Sequence, residues 1–348
     1  VYELEPGSNA GEVFETLNDR GRGLTEMEKV KNYLLFLVGS LPPERSAAVS
    51  EQINKDWARI HESLASHAAD EDLLLRAHWL ATVDPQPRTW SGAASVKSLF
   101  PRERYIPAAA RLTPSSDRAE DDVEVIQDEL VDAVTGYVRT LRECAHFTAE
   151  FLDPDAAYQP LGAGAQAARV AASRLRRTGV TANFRPLIFA ARLSHPDDGA
   201  FYRDLLDACE RYAARVYVIA QRRSNAGSSR LYRLAADLVG GRSKDEVLTQ
   251  IDELTWYHAD DDVVRAGLGP TQNWYWRRGH KYFLYEYELD KVKMASDVKQ
   301  FEAFSAAGKR ERTTEHILPQ HPDWDSEIDA YWDEYDAIGT GPAARGPA

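Results

Sequence analysis

Sulfur is scarce in this chain: two cysteines and two methionines in 348 residues. Cys144 and Cys209 fall in helical patterns without Cys-x-x-Cys spacing. That excludes a disulfide framework and a zinc cage, and it fits a reducing cytoplasm. Long apolar runs are also missing. No stretch approaches the ~20 residues that span a bilayer and no signal peptide is visible, so no membrane partner is expected. Acidic residues are absent from Ala156 to Pro196, whereas Arg169, Arg174, Arg176, Arg177, Arg185 and Arg192 all fall there. Asparagine is absent after Asn273. The first residue is Val1 rather than methionine, and the expectation is that a natural start lies upstream.

What is present is ordinary for a globular protein. Hydrophobic residues make up 43% and charged residues 28%, which argues against wholesale disorder. The length suggests two domains, or three. The net charge of −13 has the wrong sign for a protein that coats nucleic acid over its whole surface, so any phosphate contact has to be local. Two arginine groups qualify, the one above and a second at Arg211, Arg215, Arg222, Arg223, Arg230 and Arg233. The plain alternative for both is a solvated helix face balanced by acidic neighbours.

Periodicity makes most of the chain α-helical. Val1 to Glu5 alternates and reads as a strand, followed by a turn in which Ser8 or Asn9 caps a short helix. Thr25, with Glu28 three residues on, forms a capping box for a helix burying Val30, Tyr33, Leu34 and Leu37. Helices are expected over Ser46 to Ala65 and Asp70 to Thr82. Asp84 to Arg118, rich in Pro, Ser and Arg, reads as a linker with one short helix around Val96 to Phe100. Helical spacing resumes over Asp121 to Leu152, Gln166 to Arg177, Arg185 to Leu193, Asp198 to Gln221, Ser229 to Val239 and Lys244 to Glu253. Tyr282 to Leu289 is open between strand and helix, and Thr313 to Leu318 reads as a strand.

Four segments could carry chemistry. In Thr313-Thr314-Glu315-His316-Ile317-Leu318-Pro319, an acid precedes a histidine at the end of a β-branched run. In a ββα-metal nuclease His316 would take a proton from water and Glu315 would hold a divalent cation. A strand-end histidine bonded to backbone is the plain alternative. Asn18-Asp19-Arg20-Gly21-Arg22-Gly23 is a glycine-bearing turn between helices whose exposed amides suit a phosphate, although the Walker A spacing is absent. Trp274, Tyr275 and Trp276 precede Arg277, Arg278, His280 and Lys281, an interleaving of rings and base that suits stacking on nucleobases, the plain alternative being a core-forming element with a basic edge. Asp260-Asp261-Asp262 reads as an acidic helix N-terminus rather than a metal run.

Two of these segments together resemble one family. Phe14 through Tyr33 is similar to the block that ends the ParB-like N-terminal domain of GmrSD-type restriction and antiphage proteins. Thr314 through Gln320 resembles the opening of their C-terminal HNH-type nuclease domain, and Trp276 to Glu288 is similar to the segment before it. The resemblance implies a mainly α chain with a ParB-like N-terminal remnant, a central helical domain and a partial ββα element. It places a nucleotide-handling part and following helices in 1–83, a linker in 84–120, a central helical domain in 121–263 and a partial nuclease domain in 264–348. It implies His316 as general base, Glu315 on Mg²⁺ or another divalent cation, and Asn18, Asp19, Arg20 and Gly21 toward an NTP. Foreign, modified DNA is the implied partner, and a homo-oligomer is compatible; Arg174, Arg176, Arg177, Arg277 and Arg278 of the basic patches are the candidate phosphate contacts. The family's upstream Asp-Gly-Gln-Gln-Arg run and its downstream asparagines have no counterpart here. The expectation is therefore a fragment or degenerate endonuclease with weak activity of its own, the competing class being a non-catalytic helical module that binds DNA or a partner.

Overall fold

The computed structural model describes residues 24–65, 70–111, 117–158, 160–269, 279–291 and 301. Asn18, Asp19, Arg20, Gly21, Arg277, Arg278, Glu315 and His316 lie outside the described residues, as do both expected strands. Among the described residues the structure is helical, with no strand. The chain divides into two compact units, Val1–Tyr282 and Phe283–Ala348.

Helix α1, Glu26–Val38, begins at the expected capping box. The Thr25 amide donates to Glu28 Oε2 at 2.7 Å and the Glu28 amide donates back to Thr25 Oγ1 at 3.1 Å. Val30, Leu34 and Leu37 are fully buried, as their spacing requires. Helix α2, Pro43–Ala65, and helix α3, Glu71–Thr82, follow, the latter capped by Asp70.

The stretch that reads as a linker contains two helices rather than one, α4 Ala93–Leu99 and α5 Arg102–Arg111. Its composition is turn-like, but Val96, Phe100 and Tyr105 are spaced to bury, and they do. Polar contacts then fix it in place. The Ala93 amide donates to Glu26 Oε2 at 2.6 Å, the Tyr33 hydroxyl donates to the Phe100 carbonyl, and Arg104 pairs with Glu129.

Helix α6, Asp117–Leu152, is the longest described element, with α2 packed along it and α3 and α5 also in contact. Across the α2–α6 contact the buried Asp56 accepts from Arg142 Nη1 at 2.6 Å and Gln52 Nε2 at 2.8 Å, so the charge removed from water is compensated. His78 of α3 is a core histidine. Its Nε2 lies 2.8 Å from Thr140 Oγ1, its ring meets Tyr137 edge-on, and burial pushes its pKa down to about 3, which keeps it neutral.

Beyond α6 come α7 Ala165–Arg177, α8 Arg185–Ser194 and α9 Gly199–Tyr212. Helices α7 and α9 approach so closely at Gly164 and Gly199 that a Cβ on Gly164 would lie 2.6 Å from the Gly199 Cα. The expected single helix from Asp198 widens at Ala213–Ile219 into π geometry, where the Ala220 amide reaches back five residues to the Arg215 carbonyl. Helices α10 Ser228–Val239, α11 Lys244–His258 and α12 Asp261–Leu268 complete the described part of this unit up to the start of α13, His280–Lys291. Asp260 caps α12 through the Val263 amide at 2.9 Å, the structural role read for the acidic triplet. The ambiguous Tyr282 segment is helix. In the second unit the Tyr285 and Phe301 rings meet edge-on at 5.1 Å.

Candidate nucleic-acid interface

The wide turn at Ala213–Ile219 places the loop that follows it. Tyr217 donates to the Ala226 carbonyl at 2.7 Å and Tyr212 to the same oxygen at 3.0 Å, so two core tyrosines hold the end of the 220–227 loop. Gly227 caps α10 in the left-handed region at φ +71°, and a Cβ there would lie 2.1 Å from the Tyr212 hydroxyl. Arg222 Nε donates to the His258 carbonyl at 3.0 Å, which ties the loop to the end of α11.

Helix α11 runs five residues past the expected Glu253 and presents Trp256 and Tyr257 there, 57% and 77% exposed. Leu254 and Thr255 are buried beside them, so the helix continues because one face still packs while the next two side chains turn outward. Arginines stack on both rings. The Arg215 guanidinium carbon lies 5.6 Å from the Trp256 ring centre and that of Arg230 lies 6.0 Å from Tyr257. Tyr257, Arg230, Arg233 and Arg242 line a shallow groove of about 470 Å³ between α10 and α11.

The charges here do not cancel. Arg211 holds Asp252 at 2.7 Å, Arg215 holds Asp261 at 2.7 Å and Arg242 holds Asp237 at 3.2 Å. Arg222, Arg223, Arg230 and Arg233 are all exposed and, among the described residues, have no carboxylate partner. The carboxylate in the groove that opposes them without an ion pair of its own is Glu253. His258 does not add to the charge: burial, then Arg222 and Arg230, depress its pKa and keep the ring neutral at pH 7. The result is a local cationic surface with open aromatic faces on a chain of net charge −13.

The arginines of the first group are placed differently. Arg174 lies 3.5 Å from Asp207 and 3.6 Å from Glu210, an arrangement that balances it within the fold. Arg176 donates to the Phe151 carbonyl and to Ser173, and lies over the Phe151 ring. Arg177 is half-buried at the last position of α7. Arg185 and Arg192 go inside. Arg192 is 1% exposed, pairs with Glu150 at 3.0 Å, and has Phe147 and Tyr202 rings 4.9 and 5.2 Å from its guanidinium carbon. Arg185 is 5% exposed and lies 4.7 Å from the Phe151 ring centre, with Nε and Nη1 lacking hydrogen-bond partners among the described residues; burial pulls its pKa down to about 10. An acid-free stretch of sequence thus supplies two of its six arginines, Arg185 and Arg192, to the protein's own interior and leaves the other four half-buried.

Trp256 and Tyr257 escaped the sequence reading because the helix seemed to end at Glu253. The usable signal was there: two rings directly after a helical apolar position, with arginines already grouped upstream. Among the described residues no group of three or more His, Cys, Asp or Glu side chains could hold a metal ion, and no helix is long and apolar enough to cross a membrane. Compared with known protein families, curated proteins and solved structures, the chain matches none.

Proposed function

We propose that this chain is a relative of the GmrSD-type DNA endonucleases that engages DNA through the aromatic end of α11 and the arginines of α10 and of the loop before it. The observation that carries the binding half of this reading is the set of four exposed arginines, Arg222, Arg223, Arg230 and Arg233, that have no carboxylate partner among the described residues, with Arg230 over Tyr257 and Arg222 on the His258 carbonyl. Guanidinium groups neutralise phosphates and release condensed counterions, which drives association without sequence readout. The catalytic half rests on the resemblance of Thr314 through Gln320, with His316 as the base for phosphodiester hydrolysis and Glu315 as the residue that would hold Mg²⁺. A divalent cation there would supply charge stabilisation at the scissile phosphate. The ParB-like block at Asn18 to Gly21 adds nucleotide handling to the proposal, and modified foreign DNA is the proposed target.

The test separates binding from chemistry. Fluorescence anisotropy with labelled DNA is expected to show affinity that falls steeply with salt, needs no divalent cation, and is unchanged by His316→Ala. Replacing Arg222, Arg223, Arg230 and Arg233 together by alanine is expected to lower affinity at least about tenfold and to flatten the salt slope by up to about four phosphate contacts. An unchanged slope would remove the assigned surface. Nicking of supercoiled plasmid in Mg²⁺ that disappears in His316→Ala assigns the chemistry to this chain. DNA binding without nicking selects the second reading, a non-catalytic helical module, which the same arginine surface supports equally.

A further inference from the structure

The α11 end differs from a plain phosphate-binding patch in one respect: its most exposed groups are rings. Trp256 and Tyr257 are successive helix positions, so their side chains leave the axis about 100° apart and cannot stack on each other. Each has an arginine over one ring face at 5.6 and 6.0 Å. With 57% and 77% exposure, both residues still present open π surface to solvent. Duplex DNA keeps its bases stacked inside and offers such rings nothing to lie against. Unpaired bases do present their faces, and stacking on protein rings is sequence-tolerant because every base has a π face.

We infer that this face holds single-stranded rather than duplex DNA, with bases on Trp256 and Tyr257 and the backbone along Arg222, Arg223, Arg230 and Arg233. Charge complementarity favours a polyanion over an apolar peptide or a second copy of this chain, which itself carries a net charge of −13. Three arginines, Arg230, Arg233 and Arg242, are among the residues lining the groove, which suits an anionic backbone. The inference rests on the DNA-binding reading above and adds the strandedness of the target. A strand held this way belongs to a step at which the duplex is already opened or nicked.

The experiment uses the full chain, a fluorescein-labelled oligo-dT of 20 nucleotides, a 20-base-pair duplex and an oligo-rU of the same length, at one fixed salt concentration. Oligo-dT is expected to bind at least about tenfold more tightly than the duplex. Trp256→Ala with Tyr257→Ala is expected to lose about tenfold or more in oligo-dT affinity, as stacking losses imply, while duplex affinity stays within about twofold. Trp256→Phe with Tyr257→Phe keeps both rings and is expected to retain oligo-dT binding, which guards against a folding defect being mistaken for lost stacking. Duplex bound as tightly as oligo-dT, with arginine dependence intact, overturns the strandedness and leaves the DNA-binding reading standing. Tighter binding of oligo-rU overturns the assignment to DNA. No binding of any of the three overturns both readings.

Discussion

Replacing Arg192 by alanine is expected to cost about 3–5 kcal/mol of folding stability at pH 8, read as a fall in the urea midpoint at constant slope. Two losses add. The side chain is 1% exposed and wedged between Phe147 and Tyr202, so truncation opens a cavity and removes two ring contacts. It also leaves the Glu150 carboxyl, 4% exposed, without the guanidinium 3.0 Å away. Replacing both partners at once, Arg192→Met with Glu150→Leu, is expected to recover most of the loss, because an apolar pair of similar volume needs no charge compensation. If the double variant is as unstable as Arg192→Ala, packing shape rather than buried charge sets the cost.

The same pair gives a pH dependence with a definite sign. Burial pushes the Glu150 pKa up to about 7 in spite of the attraction of Arg192. The folded state therefore keeps a proton that the unfolded chain releases near the ordinary carboxylate value, and this group's contribution to stability is largest at low pH and declines as pH rises through about 7. Removing the guanidinium raises the carboxyl further, so Arg192→Ala is expected to lose more at pH 8 than at pH 5. His146 and His78 run the other way: both are held below the usual imidazole value, chiefly by burial, and favour folding as pH rises. The informative measurement is thus wild type against Glu150→Gln at both pH values. Wild type is expected to lose ground to the glutamine variant between pH 5 and pH 8, and a constant difference would show that Glu150 does not titrate in that window.

Local rules were legible wherever packing agreed with them. The Thr25–Glu28 box, the Asp70 and Asp260 caps and the buried stripe of α1 follow from spacing alone, since each depends on residues within one or two turns. The reading of 84–118 missed the second of its two helices for the opposite reason. Prolines, serines and arginines dominate that segment locally, but Val96 and Phe100 are committed by contacts with α1, over 60 residues away in sequence, such as Tyr33 to Phe100. The destination of an arginine is equally non-local. Arg192 and Arg222 look alike in sequence; one is buried because Glu150, Phe147 and Tyr202 converge on it, and the other is exposed because a π turn pushes its loop outward. The proposed binding surface could be read as a group of arginines without knowing which of them face solvent.

Gly199→Ala is expected to destabilise the protein by about 2–3 kcal/mol, and Gly199→Val by more. Composition alone gives no hint of this, because glycine before a helix usually signals only a turn. Here it marks a close backbone approach between α7 and α9, a principal helix–helix contact of the fold. An added Cβ would meet the Gly164 Cα at 2.7 Å and the Leu161 carbonyl at 2.8 Å. Both obstacles are main chain, so no rotamer change relieves them, and the helices must separate along a close-packed seam. Gly164→Ala meets the same wall from the other side, with the Gly199 Cα at 2.6 Å, and is expected to cost a similar amount. Combining the two is expected to cost less than their sum, since once the helices have moved apart the second methyl enters space already opened. Strict additivity in denaturant midpoints would show that each strand of backbone yields locally and that the helices do not move as bodies. Because α9 runs directly into the turn before the 220–227 loop, these variants are also expected to weaken the proposed DNA binding without touching an arginine.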